Sequence, residues 1–194
     1  MSGVVNVHIV LETERLRLRR FVAADADLLV ALDADPEVMR YITYGQPTPR
    51  SAYVEIYLPR WFAIYEAQPG RGYFAAESRA TGEFLGWFHL RDDRIAPEYV
   101  ELGYRFRRSA WGQGYATEGS RALLTHGFDG LGVERISART LLGNAASQHV
   151  MAKCGLRRIG EFVYAQDVID GRSEQERAAV MYAITRPEWV ALSW

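Results

Sequence analysis

The segment Trp111-Gly112-Gln113-Gly114-Tyr115-Ala116-Thr117-Glu118 constrains this chain more than any other, because its two glycines turn the backbone between a strand pattern and a helix pattern. Before it, Val100 to Phe106 alternates as a strand does; after it, Ala116, Leu123, Leu124, Phe128 and Leu131 recur at helical spacing. A glycine turn feeding a helix points unpaired amides past the helix N-terminus, where an anion such as a pyrophosphate suits them. A dinucleotide fingerprint would need a third glycine where Thr117 stands, and a phosphate-binding P-loop would need Gly-Lys followed by Ser or Thr, which the sequence lacks. Taken alone, such a turn is also an ordinary helix entry, so a second signal is required.

With 48% hydrophobic and 24% charged residues, the 194-residue chain has the composition of one well-cored domain, expected to span 1–194. A net charge of −1 and a pI near 6.4 argue against nucleic acid or an anionic membrane as the main partner, since both demand a basic face. The single cysteine, Cys154, excludes an internal disulfide framework and a zinc cluster, and fits a reducing compartment. The run Val4 to Leu11 lacks a basic flank and is interrupted by polar residues, so it makes a poor signal peptide, and no stretch reaches transmembrane length. These features predict a cytoplasmic protein without a bound metal, as a monomer or a homodimer.

Along the chain, Leu16 to Arg19 predicts a first strand and Asp25 to Asp33 a first helix that Pro36 ends. Tyr53 to Ile64 predicts a second helix, kinked or broken at Pro59. Tyr73 to Glu77 and Phe84 to Leu90 form a hairpin about Thr81-Gly82, followed by the strand at Val100 to Phe106 and the glycine-loop helix. Arg135 to Thr140 predicts a fifth strand, Asn144 to Lys153 a helix ended by Gly155, and two final strands are joined through Asp170-Gly171. The result is a mixed α+β sheet domain of about seven strands and four helices.

The second signal is Asn144-Ala145-Ala146-Ser147, with Lys153-Cys154-Gly155-Leu156 at the end of the same helix. Asn144 stands at an N-cap, where its amide caps the helix or turns toward a ligand, and Ser147 shares its face. Together with Leu11 to Arg19, Glu101-Leu102-Gly103-Tyr104 and Thr185-Arg186-Pro187-Glu188-Trp189, these motifs make the chain resemble the GNAT N-acetyltransferases over nearly its whole length, in the RimJ/RimL ribosomal-protein N-terminal acetyltransferase branch. The superfamily loop pattern Gln/Arg-x-x-Gly-x-Gly/Ala aligns on Trp111, Gly114 and Ala116, with tryptophan at the usual polar position.

The resemblance implies a GNAT fold whose fourth and fifth strands splay apart in a V, with acetyl-CoA between them. It implies backbone contacts from Tyr104, Arg105 and Phe106 to the pantetheine arm, amides of Gly112, Gln113, Gly114, Tyr115, Ala116 and Thr117 on the pyrophosphate, and Asn144 on the pantetheine side. Arg107 and Arg108 stand where they would approach the phosphates. Acetyl transfer needs a neutral amine, an aligned thioester and stabilisation of a tetrahedral oxyanion. Glu101 is the expected general base, acting through a water. Many relatives carry a tyrosine acid one turn past the Asn-x-x element; here that position is Met151, which leaves Ser147 as the proton donor. A thiol pKa of about 8.5 makes that demand small.

Cys154 lacks a histidine partner and receives no role, as do His8, His126 and His149. The expected acceptor is a primary amine. An α-amine at a protein N-terminus costs roughly 3 kcal/mol less to deprotonate at neutral pH than a lysine does. Small amines and antibiotics, a longer acyl-CoA, and a non-catalytic acyl-CoA sensor of the same fold remain open. Expected acceptor walls are the Tyr41 to Pro49 loop, Trp87 and His89, and the Tyr164 to Arg172 connection, with Tyr44, Glu161 and Asp167 as further candidates to hold a cationic amine.

Overall fold

The computed structural model describes residues 7–165 and 171–192. Eight strands form one sheet: β1 (Ile9–Glu12), β2 (Leu16–Arg20), β3 (Gly72–Ser78), β4 (Phe84–Asp92), β5 (Val100–Phe106), β6 (Arg135–Leu141), β7 (Arg157–Val163) and β8 (Ala178–Thr185), in the order β1-β2-β3-β4-β5-β6-β8-β7. The strand missing from the sequence reading is β1, a four-residue edge strand paired only with β2, too short to show an alternation of its own. All pairings are antiparallel except β5 with β6, which run parallel and pair only at Val100↔Ile136 and Glu101↔Ser137. Beyond Glu101 the two strands part, so the expected V-shaped splay is present between β5 and β6.

The helices are α1 (Ala26–Asp33), α2 (Pro36–Met39), α3 (Arg50–Ala52), α4 (Leu58–Ala67), α5 (Tyr115–Thr125), α6 (Ala145–Lys153), α7 (Glu174–Arg177) and α8 (Arg186–Val190). α1, α4, α5 and α6 are the four that the apolar spacing predicts. Pro59 neither breaks nor ends its helix. A π-helical turn at Tyr53–Tyr57 precedes it, and the proline falls in the first turn of α4, where a missing N–H is tolerated. α8 starts in a capping box, with the Thr185 hydroxyl accepting from the Glu188 amide and Glu188 accepting from the Thr185 amide.

Side-chain alternation sorts β4 between two layers. Phe88 faces α5 at Gly119, and Leu90 faces Gly127 in the π-helical turn His126–Gly130 that follows it, so no side chain obstructs either. Trp87 and His89 face α4, in an aromatic cluster where Trp61 stacks on Tyr73 at 4.3 Å and Tyr73 meets the His89 ring edge-on at 5.2 Å. One apolar core on both sheet faces therefore fixes the two strands that border the splay.

Candidate active site

A cleft of about 700 Å³ opens where β5 and β6 part, and it joins the glycine loop, the start of α6 and the polar face of β4 and β5. Gly112 and Gly114 hold φ of 72° and 83°, a left-handed conformation that side chains rarely adopt, and Gly114 is the N-cap of α5. With glycine there, no side chain caps the first amides of this eleven-residue helix, and the loop lines the cleft. Glu118 ties the loop to the β1–β2 turn by accepting from Thr13 Oγ1 at 2.5 Å and from Arg15 Nε at 2.7 Å.

Strand alternation decides which backbone groups of β5 face the gap. The Arg107 amide donates to Leu85 at 2.9 Å, so in register Arg105, Gly103 and Glu101 exchange hydrogen bonds with β4. The amides and carbonyls of Tyr104 and Phe106 point the other way, into the splay. Trp111 Nε1 donates to the Phe106 carbonyl at 2.9 Å, which fits that direction and gives the tryptophan at the loop's first position a structural task. The expected backbone contact at Arg105 is corrected by this register: its main chain belongs to the β4 ladder, while its guanidinium bonds Asp33 Oδ1 at 2.5 Å and lies 4.9 Å over the Trp87 ring.

Glu101 and Ser147 both border the cleft, but from different faces of β5. Glu101 is buried, at 7% exposure, and pairs with Arg91 and, at 3.2 Å, with Arg139. Burial pushes its carboxyl above the usual range, and the two arginines oppose that rise. Arg139 also pairs with Asp93, which accepts from Ser137 Oγ at 2.6 Å and is held below the usual carboxylate range by these donors, against its burial. His89 Nε2 lies 3.7 Å from Glu101 Oε2, and burial followed by the neighbouring arginines holds its imidazole well below the ordinary histidine range. Arg91, Asp93 and Arg139 were not anticipated from sequence; they are scattered over 49 positions and only the strand register gathers them.

On the other face, Tyr104 Oη lies 3.1 Å from Ser147 Oγ and donates to the Ser147 carbonyl at 3.0 Å. Burial pushes this phenol up, so it stays a proton donor. Asn144 caps α6, accepting from the Ser147 amide at 3.2 Å, while its Nδ2 donates to Thr140 Oγ1 at 3.0 Å. Of the expected loop residues, Trp111, Gly112, Gly114, Tyr115, Ala116 and Thr117 line the cleft. Gln113 does not: its carbonyl accepts from Arg15 and its amide donates to Ser109 at 2.6 Å. Arg107 and Arg108 line a second hollow and pair with Glu83 and Asp35.

Among the acceptor-wall candidates, Tyr41, Trp87, His89 and Tyr164 line the cleft. Tyr44 instead donates to the Glu176 carbonyl at 2.8 Å, Glu161 pairs with Arg158, and Asp167 lies outside the described residues. Cys154 is fully buried beside the Thr117 carbonyl, and burial pushes its thiol up to about 11, which suits a packing residue. No group of three or more His, Cys, Asp or Glu side chains suited to a metal occurs among the described residues, and no described helix is long and apolar enough to cross a membrane.

The sequence matches the model of the acetyltransferase (GNAT) domain over residues 15–157, and the chain belongs to that family: it is an N-acetyltransferase. It is 32% identical over 190 residues to the FsC-acetyl coenzyme A-N(2)-transacetylase of Aspergillus fumigatus, a match that covers 94% of this chain and 78% of that protein. An acetyltransferase of the GNAT family from Bacillus anthracis superposes with a TM-score of 0.71 at 25% identity, covering 91% of this chain and 98% of that one. The ribosomal-protein-S5-alanine acetyltransferase of Vibrio fischeri shares the fold, with a TM-score of 0.69 at 17% identity over 92% of this chain and 97% of its own.

Proposed function

We propose that the cleft binds acetyl-CoA and transfers its acetyl group to a primary amine, an α-amine being the acceptor that its chemistry suits best. One observation carries this reading: a single cleft runs from uncapped helix amides, suited to a pyrophosphate, along the gap-facing edge of β5, suited to an amide-bearing chain, to a buried carboxylate cluster. Gly112, Gly114, Tyr115, Ala116 and Thr117 would hold the pyrophosphate. Tyr104 and Phe106 would take the pantetheine arm through their gap-facing main chain, with Asn144 across from them. When bound, acetyl-CoA supplies an acetyl group activated as a thioester.

Glu101 is where the amine proton ends, passed through an intervening group because the carboxylate is sunk between Arg91 and Arg139. Ser147, held by Tyr104, returns a proton to the departing thiolate. Among the described residues, the two carboxylates on the cleft wall, Glu37 and Glu101, each pair with arginine, so neither is free to hold a polycation. That favours a monoamine, and an α-amine needs the weaker base. The name of the Aspergillus fumigatus relative, an N(2)-transacetylase, is consistent with such an acceptor.

The test is CoA-thiol release from acetyl-CoA over N-terminal peptides, lysine peptides, polyamines and aminoglycosides, with Glu101→Gln in parallel. Turnover with an α-amine, lost in the variant, is the expected result; turnover with polyamines alone would overturn the acceptor class. Tight acetyl-CoA binding without turnover on any amine would favour a sensor.

A further inference from the structure

His89 and Glu101 present a mismatch that the proposed chemistry resolves. Both ring nitrogens of His89 are buried and make no hydrogen bond, although Nε2 faces Glu101 Oε2, the oxygen that also pairs with Arg91, at 3.7 Å. Buried polar atoms without partners are costly, and a neutral imidazole always carries one N–H and one lone pair. The ring lies against Gly103, where a Cβ would sit 2.6 Å from Nε2 and 2.5 Å from Cε1. Glycine opposite His89 in the β4–β5 register makes the space that lets the imidazole reach toward Glu101 at the cleft wall.

From this geometry we infer that His89 is the group that carries the amine proton to Glu101, in place of a water. This rests on the acetyltransferase reading of the same cleft. An Nε2–H donated to Glu101 Oε2 leaves the Nδ1 lone pair for the proton of the acceptor. Closing 3.7 Å to an ordinary hydrogen bond takes less than about 1 Å, and catalytic hydrogen bonds are often long before substrate binds.

The step balances. The amine nitrogen bonds to the acetyl carbon, the carbon–sulfur bond breaks with its electron pair going to sulfur, and the nitrogen's surplus proton passes to His89 Nδ1 as the Nε2 proton passes to Glu101. Ser147 or solvent protonates the thiolate, and Glu101 returns its proton to solvent through His89 after product leaves. Arg91 on its own strand, Glu101 and Arg105 on β5, Arg139 on β6, Arg94 beyond β4 and Tyr73 on β3 are the charged and titratable groups about the ring. Burial and the four arginines disfavour an imidazolium here, so the ring passes its Nε2 proton on to Glu101, whose carboxyl burial pushes up, rather than holding two protons.

The experiment compares wild type, His89→Gln and His89→Ala for turnover with an amine that the wild type accepts, alongside acetyl-CoA affinity and thermal unfolding. Histidine general-base catalysis contributes typically ~10²–10⁴-fold, so His89→Gln should lose at least ~100-fold in kcat with acetyl-CoA affinity within about threefold of wild type. Added imidazole should restore part of the rate to His89→Ala, which a purely structural histidine would not allow. Turnover by His89→Gln within about threefold of wild type overturns the relay, as does a lost rate that imidazole cannot rescue. Absence of turnover by the wild type on every amine refutes the acetyltransferase reading of the cleft instead, so the two failures are distinguishable.

Discussion

Gly103→Ala tests the packing around His89 with a single methyl group. The added Cβ would lie 2.5 Å from Cε1 and 2.6 Å from Nε2, whereas carbon atoms rest at about 3.5–4.0 Å, so the ring must retreat by roughly 1 Å. The ring is walled by Tyr73 and Trp87, which leaves little room for a harmless retreat. A misplacement of about 1 Å at a reacting group costs on the order of 10²-fold, or about 2.7 kcal/mol of barrier. Overpacking costs a further ~1–3 kcal/mol of stability. The main chain of Gly103 belongs to the β4 ladder rather than the gap, so acetyl-CoA affinity should change by less than about threefold. Steady-state kinetics with calorimetric acetyl-CoA binding is the assay. A folded Gly103→Ala enzyme with wild-type kcat would refute both the steric argument and the importance of the His89 position.

Gly119→Ala should act on stability: its Cβ would meet Phe88 at 2.3 Å in the full core, costing ~1–3 kcal/mol and lowering Tm by several degrees in a thermal melt. Cys154, with its thiol near 11, should label at pH 8 at least ~100-fold more slowly than a free cysteine of pKa about 8.5, since far less of it is thiolate; rapid iodoacetamide labelling of native protein would contradict its burial. Ser147→Ala should slow turnover less than Glu101→Gln, because a thiolate leaves with little help; an unchanged rate at saturating substrates would remove the proton-donor role.

The sequence made the strand Val100 to Phe106 and the helix after Asn144 legible because each carries one clear period with a glycine or a cap at its end. β1 was too short for that, and the π-helical turn before Pro59 was invisible because it keeps the apolar spacing of a helix. At the site, Glu101 and the glycine loop were readable as motifs. Their surroundings were not: Arg91 and Arg139 meet Glu101, and Asp93 meets Arg139, only through the β4–β5–β6 register, and nothing local marks them. The same register reassigned the Arg105 main chain to β4, which a motif spanning Tyr104 to Phe106 could not distinguish. His89 could be suspected to face the cleft, whereas its proximity to Glu101 depends on a glycine in the neighbouring strand.

The central claim is that acetyl-CoA fills the gap between β5 and β6, and amide hydrogen exchange read residue by residue by NMR, with and without acetyl-CoA, tests it most directly. The Tyr104 and Phe106 amides, which face the gap, should exchange readily in the free protein and become protected on binding, while the Gly103 and Arg105 amides stay protected by β4 throughout. Unchanged Tyr104 and Phe106 exchange under saturating acetyl-CoA would place the ligand elsewhere and contradict the account.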